Sequence, residues 1–313
     1  MNAPFEARRE RLVAAMRQHD LDALFLTTAH RLGYAAGLFE DGHERLLLLA
    51  LRANGDMRLI CPALSENQAR RVGLTEIDAW TDDDRPADAF ARLAQDWDLR
   101  TSVIAVEGPQ RSDHLLMMQD RLPAALFRTG EPVLASVMRK KDAAEIHALR
   151  EAGRLVDEVW DEAHTSIRMG QTEREVQAEL QRRILAKGGK LTFCILASGP
   201  ASAEPHHLTD ERRLESGDVV IIDFGCELDH YQADITRTIG FGPVEEEARE
   251  VYRIVYRAHH AALAKAAPGV TGAEVDAAAR SVIADAGYGQ YFIHRTGHGI
   301  GLSGHEEPNM AST

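Results

Sequence analysis

A motif that occurs twice at a fixed distance constrains the fold of this chain more than any other feature. The segment GQTEREV at residues 170–176 resembles GVTGAEV at residues 269–275, which begins 99 positions later. In each copy a threonine precedes a glutamate by three residues, which is a capping box that starts a helix. A further helical pattern precedes each copy, over residues 142–166 and 245–266. This repeated order predicts a pseudo-two-fold domain in which helices back a curved antiparallel sheet.

The first 135 residues follow a different pattern, in which short apolar runs alternate with amphipathic helices. The alternation predicts an α/β domain over residues 1–135, followed by the pseudo-two-fold domain over residues 136–313. The fold class is therefore mixed α/β (α+β). Predicted strands occupy residues 23–26, 46–51, 58–61 and 103–106, and predicted helices occupy residues 6–19, 64–72 and 86–97.

Composition narrows the class of partner and the compartment. Acidic residues outnumber basic ones by 49 to 36, and the net charge of −13 argues against nucleic acid as the main partner. The three cysteines are scattered without metal or disulfide spacing, which predicts a reducing, cytoplasmic environment. The longest apolar run, residues 46–51, is too short to span a bilayer, so no membrane association is expected.

Two aspartates lie where a predicted hairpin would bring them together. Asp223 ends the apolar run of residues 219–222, which predicts a strand buried on both faces. The chain then turns at residues 228–230 and returns with Asp234, eleven positions after Asp223. Taken singly, Asp223 could be a turn or capping residue and Asp234 a surface residue. Two carboxylates side by side, however, require a shared proton or cation, so the pair predicts a cation site.

Three histidines fall in one glycine-rich segment, HRTGHGIGLSGH, at positions 294, 298 and 305. His298 offers a neutral nitrogen ligand to a cation held by the two aspartates. A single histidine is more often a buried structural residue than a ligand, and only the combination favours ligation. Oxygen-rich coordination with one imidazole suits Mn, Co, Zn or Fe(II).

These motifs together resemble the pita-bread metallopeptidases. The spacing D-x10-D, the later H-x3-H-x6-H and the upstream ASGPASAEPHH are similar to the proline-specific branch, Xaa-Pro dipeptidase (prolidase) and Xaa-Pro aminopeptidase. The resemblance runs from about residue 137 to the end, and more loosely through the N-terminal part. It implies metal-dependent hydrolysis of the peptide bond before proline by a metal-bridged hydroxide. The implied substrate is a small peptide with proline at the second position, and the implied assembly is a homodimer.

The resemblance also implies roles for individual residues. Asp223, Asp234 and His298 correspond to ligands of two divalent ions (Mn, Co or Zn). His206 corresponds to a histidine near the scissile carbonyl, and His305 to one that contacts the substrate or the tetrahedral intermediate.

His294 would line the proline pocket or support the metal ligands, and a buried structural role is an equal alternative.

Two departures from the family pattern stand out. Gly304 occupies a position where the family signature has a β-branched residue. The family also completes its metal site with two glutamates beyond the HEEP stretch, whereas this sequence ends at Thr313. The expectation is therefore at most one weakly bound ion and doubtful activity for the chain as given.

Three functions remain open on the sequence alone. The first is an Xaa-Pro-cleaving metallopeptidase. The second is a non-proline hydrolase of the same fold, such as methionine aminopeptidase, which the long N-terminal domain disfavours, or the metal-free creatinase, which the paired aspartates disfavour. The third is a catalytically silent peptide-binding protein on the same fold. Metal content and activity on Xaa-Pro dipeptides separate the three.

Overall fold

The computed structural model describes residues 3–312. Thr313 lies outside the described residues. The chain separates into two compact units, Met1–Lys140 and Lys141–Thr313, called unit 1 and unit 2 below. Among the described helices, none combines the length and apolar character needed to cross a membrane.

Unit 1 is built on a six-stranded sheet with the strand order β4-β3-β2-β1-β5-β6. Strand β2 pairs antiparallel with β1 and β3, and the other neighbours are parallel. The strands are β1 (Ala23–Leu26), β2 (Leu48–Arg52), β3 (Met57–Pro62), β4 (Ile77–Trp80), β5 (Val103–Val106) and β6 (Leu126–Thr129). The helices are α1 (Ala3–Gln18), α2 (Ala29–Ala36), α3 (Ala63–Arg71), α4 (Pro86–Asp96), α5 (Ser112–Arg121) and α6 (Glu131–Met138).

The predicted α/β character of this region is confirmed. The pattern missed three helices, α2, α5 and α6, and two strands. Strands β1 and β5 occupy the residues predicted from their apolar runs, because both lie in the centre of the sheet and are buried. The two strands that the pattern missed, β4 and β6, are the outer strands of the sheet. An outer strand of four residues needs no continuous apolar run, since part of it faces solvent; β6 is largely exposed.

A buried carboxylate organises the start of α2. Glu107, which is 1% exposed, follows β5 and accepts hydrogen bonds from the backbone N–H groups of Thr27 and Thr28. Both threonine hydroxyls donate to the same carboxylate. These contacts fix the connection between β1 and α2 without a side-chain cap from Thr28.

Unit 2 contains two helix pairs and two small antiparallel sheets. One sheet has the order β7-β8-β9, and the other pairs β10 with β11. Its helices are α7 (Ala143–Ala163), α8 (Glu173–Ala186), α9 (Glu246–Lys265) and α10 (Gly272–Asp285). Its strands are β7 (Lys190–Ser198), β8 (Val219–Leu228), β9 (Tyr231–Gly240), β10 (Gly297–Gly299) and β11 (Glu306–Met310).

The sequence repeat is a structural repeat. Helices α8 and α10 are both 14 residues long and both begin with a complete capping box, on Thr172 and Thr271. Both end before a glycine in the left-handed region, Gly188 at φ 84° and Gly287 at φ 88°. A residue with a Cβ would be strained at either glycine. The pseudo-two-fold order predicted from the sequence is therefore confirmed.

Strand β8 shows which face of its sheet meets the helices. Val220, Ile222, Phe224 and Cys226 are fully buried in a core shared with α7 and α8. The residues between them, up to Asp223, are only partly buried. The expectation of a strand buried on both faces is therefore wrong. Helices cover one face of this strand, and the other face carries Asp223.

Candidate metal centre

The two aspartates are placed by a tight hairpin between β8 and β9. The turn residues Asp229 and His230 both adopt positive φ, 48° and 70°, as a two-residue hairpin turn of type I′ requires. The strand register pairs Asp223 with Thr236, and Gly225 with Asp234. Because side chains directly opposite each other lie on one face, Asp223 and Asp234 lie on the same face of the sheet, diagonally across two strands.

The Asp223 side chain is half-buried, and its carboxylate accepts a hydrogen bond from one neighbouring side chain. The Thr236 hydroxyl donates to Asp223 Oδ1 at 2.7 Å. Burial raises the pKa of Asp223 above its ordinary value, while the Thr236 bond and the nearby His298 oppose that rise. Asp223 therefore retains an oxygen that is not used by Thr236.

Asp234 has a raised pKa for two reasons. Burial is the larger cause, and the negative charge of Asp223 is the second. The two carboxylates thus repel each other in a site that water solvates incompletely. A positive charge between them would relieve both effects.

His298 approaches this pair from β10. Its Nδ1 lies 2.9 Å from the Gly299 carbonyl oxygen, which can only accept, so Nδ1 carries the hydrogen in that contact. Its Nε2 then presents a lone pair, 3.7 Å from Asp234 Oδ2. Two acceptors that face each other at this distance favour a cation between them. A histidine whose second nitrogen donates to a backbone carbonyl is also the usual arrangement of a metal ligand.

Two further histidines surround His298. The ring of His305 packs edge-on against that of His298, with 4.1 Å between the ring centroids. Burial is the main cause that lowers the pKa of His305, and the neighbouring His298, Arg295 and His294 act in the same direction, which favours the neutral form of His305. His294 is exposed, and its Nδ1 lies 2.7 Å from the Arg295 carbonyl oxygen. His294 also lies close enough to Asp223 to help lower the pKa of that carboxyl group.

Of the six residues singled out in the sequence, the structure brings five into one neighbourhood. They are Asp223, Asp234, His294, His298 and His305. His206 is an exposed side chain on the segment that follows β7. The donor set of two carboxylates and one imidazole fits a divalent cation that prefers oxygen with some nitrogen, such as Mn²⁺, Co²⁺ or Zn²⁺.

A second group of ligand-type side chains was not predicted from the sequence. Within residues 3–312, Glu173, His207 and Asp210 form the group of three whose ligand atoms lie within 4.8 Å of one another. The predicted ligands Asp223, Asp234 and His298 do not meet that spacing in the described chain. The hydrogen bonds that Glu173 makes with Ser198, His207 and Asp210 explain the tight group without an ion.

Sequence reasoning also missed a buried acid in the second half. Asp276, which is 1% exposed, receives two hydrogen bonds from Arg280 at 2.8 and 2.9 Å. It also accepts from the backbone N–H and the hydroxyl of Thr296, at 3.0 and 2.8 Å. Arg280 in turn donates to the carbonyl oxygens of Phe292 and His294. This cluster holds the segment that leads into His298. The sequence did not reveal it, because an Asp-Arg pair at i,i+4 on a helix has the pattern of an ordinary surface ion pair.

Glu306, next to His305, is held by an ion pair and by a backbone hydrogen bond. Lys141 Nζ lies 2.6 Å from Glu306 Oε2, and both side chains are nearly buried. The other oxygen of Glu306 accepts from the Ser303 N–H at 3.0 Å. Gly301 lies against the Glu306 carboxylate, where an added Cβ would collide with it. The turn before His305 is therefore closed around one carboxylate.

Comparisons with known proteins agree with this fold. Residues 147–313 match the model of metallopeptidase family M24, and residues 8–140 match the creatinase/prolidase N-terminal domain. The chain is 37% identical over 324 residues to the probable dipeptidase PepE of Mycobacterium tuberculosis, covering 99% of this chain and 84% of that relative.

Solved structures give the same result. A prolidase from Thermococcus sibiricus superposes with a TM-score of 0.94 at 31% identity, covering 100% of this chain and 86% of that one. Dipeptidase PepE from Mycobacterium ulcerans gives a TM-score of 0.92 at 36% identity, covering 99% and 84%. An Xaa-Pro dipeptidase from Bacillus anthracis gives 0.87 at 28% identity, covering 98% and 85%.

The fold and the family match define the class of protein as a metal-dependent peptidase with an N-terminal domain of the creatinase/prolidase type. The chain belongs to metallopeptidase family M24. A divalent metal cofactor and peptide substrates follow from that membership. The pita-bread architecture expected from the sequence is confirmed by the close superposition on the prolidase structure.

Proposed function

We propose that this protein hydrolyses the peptide bond before proline, in Xaa-Pro dipeptides or at the N-terminus of longer peptides that begin Xaa-Pro. The observation that carries the proposal is the position of His298 Nε2, 3.7 Å from Asp234 Oδ2, beside the half-buried Asp223. Two solved relatives are a prolidase and an Xaa-Pro dipeptidase, which supports the proline preference.

Asp223, Asp234 and His298 would hold the divalent metal. Bound divalent metal supplies an activated water and a Lewis acid for the substrate carbonyl. Thr236 holds Asp223 Oδ1, so that this carboxylate keeps one orientation. The Gly299 carbonyl oxygen fixes the tautomer of His298 and directs Nε2 toward Asp234.

The remaining histidines would act on the substrate. Neutral His305, held against the His298 ring, can donate a hydrogen bond to the oxygen of the substrate carbonyl as negative charge develops there. We assign His206 to the same carbonyl from the opposite half of unit 2, and His294 to the proline side of the site. An Xaa-Pro bond is a tertiary amide without N–H, so an enzyme that cleaves it must recognise the ring rather than a backbone donor.

We further propose a cytoplasmic homodimer. The cysteines Cys61, Cys194 and Cys226 are all free, and two of them are buried, which supports a reducing compartment. Light scattering coupled to gel filtration tests the assembly: a mass of about one chain at micromolar concentration would contradict the dimer.

A dipeptidase without a proline requirement is the second candidate. The identity to the two PepE dipeptidases, 37% and 36%, exceeds the 31% and 28% identity to the prolidase and the Xaa-Pro dipeptidase. A dipeptidase without a proline requirement would use the same metal site and lack a selective proline pocket.

One assay separates the two candidates. The protein is loaded with Mn²⁺, Co²⁺ or Zn²⁺ and given Ala-Pro, Ala-Ala and the tripeptide Ala-Pro-Ala, with kcat/KM measured for each. The proposal expects turnover of Ala-Pro to exceed that of Ala-Ala by at least about tenfold, which is about 1.4 kcal/mol of differential transition-state binding. Equal turnover of the two dipeptides would support the second candidate. Calorimetric titration with Mn²⁺ or Zn²⁺ gives the number of ions.

A further inference from the structure

A fully buried carboxylate lies at the start of α8 and faces the segment that carries His206. Glu173 is the first residue of that helix and is 0% exposed. Its Oε1 accepts from the backbone N–H of Ser198 at 2.9 Å and from the Ser198 hydroxyl at 2.6 Å. Its Oε2 lies 2.8 Å from His207 Nε2 and accepts from the Asp210 N–H at 3.1 Å.

These four contacts join the two ends of one segment. Ser198 is the last residue of β7, and Asp210 lies beyond the loop that follows it. The backbone N–H of Glu173 also donates to the Arg212 carbonyl oxygen at 3.0 Å. Glu173 therefore closes the loop at residues 199–209 from inside the protein.

The hydrogen-bond geometry explains the group without an ion. Each carboxylate oxygen of Glu173 has two lone pairs, and each already contacts two donors. Asp210 Oδ1 is used by the Arg212 N–H at 2.7 Å. A metal ion at this position would have to displace several of these bonds. In the contact between His207 and Glu173, the Nε2–H group of His207 therefore donates a hydrogen bond to the carboxylate.

The anchoring of His207 affects the position of its neighbour His206. The preceding residue, His206, is exposed on the same loop, and the ring of His207 is anchored in the interior by Glu173. The direction of the His206 Cα–Cβ bond depends on the backbone at residues 206–207, because adjacent residues share one peptide plane. The anchor at His207 thereby restricts where the His206 ring can lie.

We propose that Glu173 and His207 are positioning residues for His206: the buried carboxylate, through the His207 ring, holds the loop so that His206 reaches the substrate. This inference rests on the proposed function, in which His206 contacts the substrate carbonyl. A catalytic group that moves by about 1 Å loses on the order of 10²-fold in rate. Loss of the anchor is expected to cost 10- to 100-fold in kcat/KM.

A double-mutant cycle tests the route through His206. The variants are His206→Ala, His207→Ala and both together, with exposed His147→Ala on α7 as the matched control. His207→Ala is expected to lower kcat/KM 10- to 100-fold with bound metal unchanged, and to add less than twofold to the loss in His206→Ala. Losses that multiply in the double variant would overturn the proposal, as would an unchanged rate in His207→Ala.

A conservative variant separates positioning from general damage. His207→Gln retains an N–H donor that can reach Glu173, and it is expected to recover most of the lost rate. If His207→Gln is as impaired as His207→Ala while both melt at the wild-type temperature, the anchor is not the cause of the loss.

A measurement without substrate keeps the inference separate from the proposed function. Hydrogen exchange followed by mass spectrometry is expected to show faster exchange at residues 199–209 in His207→Ala, with α8 unchanged. Exchange equal to wild type would overturn the anchor even in an active enzyme. An inactive wild-type protein with faster exchange in the variant would instead contradict the proposed function and leave the anchor supported.

Discussion

The two halves of unit 2 repeat one helix pair but bury it differently. In the first half, α7 packs against β9 and β8, and Val156 is 3% exposed. Val255 lies 99 positions later on α9 and is 51% exposed, because the main packing of α9 among the described residues is with α10. The repeated sequence therefore sets where the helices start and end, whereas the burial of a helix face depends on a sheet beside it.

The halves also differ in how they hold their histidines. Glu173 in the first half is surrounded by neutral N–H and O–H donors and one histidine, whereas Asp276 in the second half is paired with Arg280. Both buried acids join the start of a helix to a histidine-bearing segment. In the first arrangement the nearby Arg212 guanidinium donates to the Ser198 hydroxyl rather than to the carboxylate, whereas in the second Arg280 donates to the carboxylate directly.

The largest effect is expected from the acids that the first half supplies. Asp234→Asn should remove most bound metal and lower Xaa-Pro hydrolysis by roughly 10³-fold or more, because several kcal/mol of charge stabilisation comes from the metal. Metal content by mass spectrometry and kcat/KM give the answer. Asp229→Asn in the hairpin turn is the matched control, since asparagine tolerates the positive φ there. Normal metal content in Asp234→Asn would refute the ligand assignment.

The next effect compares one histidine from each half. His206→Ala and His305→Ala should each lower turnover by ~10²–10³-fold with little change in bound metal, because each is assigned a hydrogen bond to the reacting carbonyl. His298→Ala should lose the metal itself. If either of the first two variants lost its metal as completely as His298→Ala, the separation of roles would be wrong.

The third prediction tests the charged pair of the second half. Asp276→Asn should lower the free energy of unfolding by roughly 2–3 kcal/mol at pH 7, the range for hydrogen bonds to a buried charge. Urea denaturation measures it. The hydrogen bonds from Arg280, chiefly, lower the pKa of Asp276 in the folded state.

That lowered pKa fixes the sign of the pH dependence. The stability that Asp276 contributes is fully present above its unfolded pKa of about 3.9 and is lost as the pH falls through its lower folded value. The difference between wild type and Asp276→Asn should therefore shrink below pH 4. A difference that stays constant down to pH 2 would show that packing, and not charge, holds this segment.

The smallest effect concerns the two equivalent valines. Val156→Ala should destabilise the protein by about 1.5–2.5 kcal/mol, from two lost methyl groups and the cavity that remains. Val255→Ala should change the stability by less than about 0.5 kcal/mol, as expected at an exposed position. Thermal or urea denaturation of both variants compares them directly. Equal losses would show that the face of α9 is covered in solution.

Much of unit 2 is predictable from the sequence because its signals are local. The capping boxes at Thr172 and Thr271 involve residues three positions apart, and the hairpin that carries Asp223 and Asp234 closes through a two-residue turn. Interactions of such short range leave a readable pattern. The histidine segment was recognised for the same reason, since three histidines and four glycines lie within twelve residues.

The sequence by itself thus determined the repeat, the ends of its helices and the central strands of unit 1, and it predicted five residues that lie together in one candidate metal centre. The tertiary structure decided which face of β8 meets the helices, which strands form the sheet edges, and which acids are buried. Glu173 meets Ser198 across 25 residues, Asp276 meets Thr296 across 20, and Lys141 meets Glu306 across 165. An acid on a helix has the same sequence pattern whether it faces water or the interior, so only the folded chain distinguishes the two.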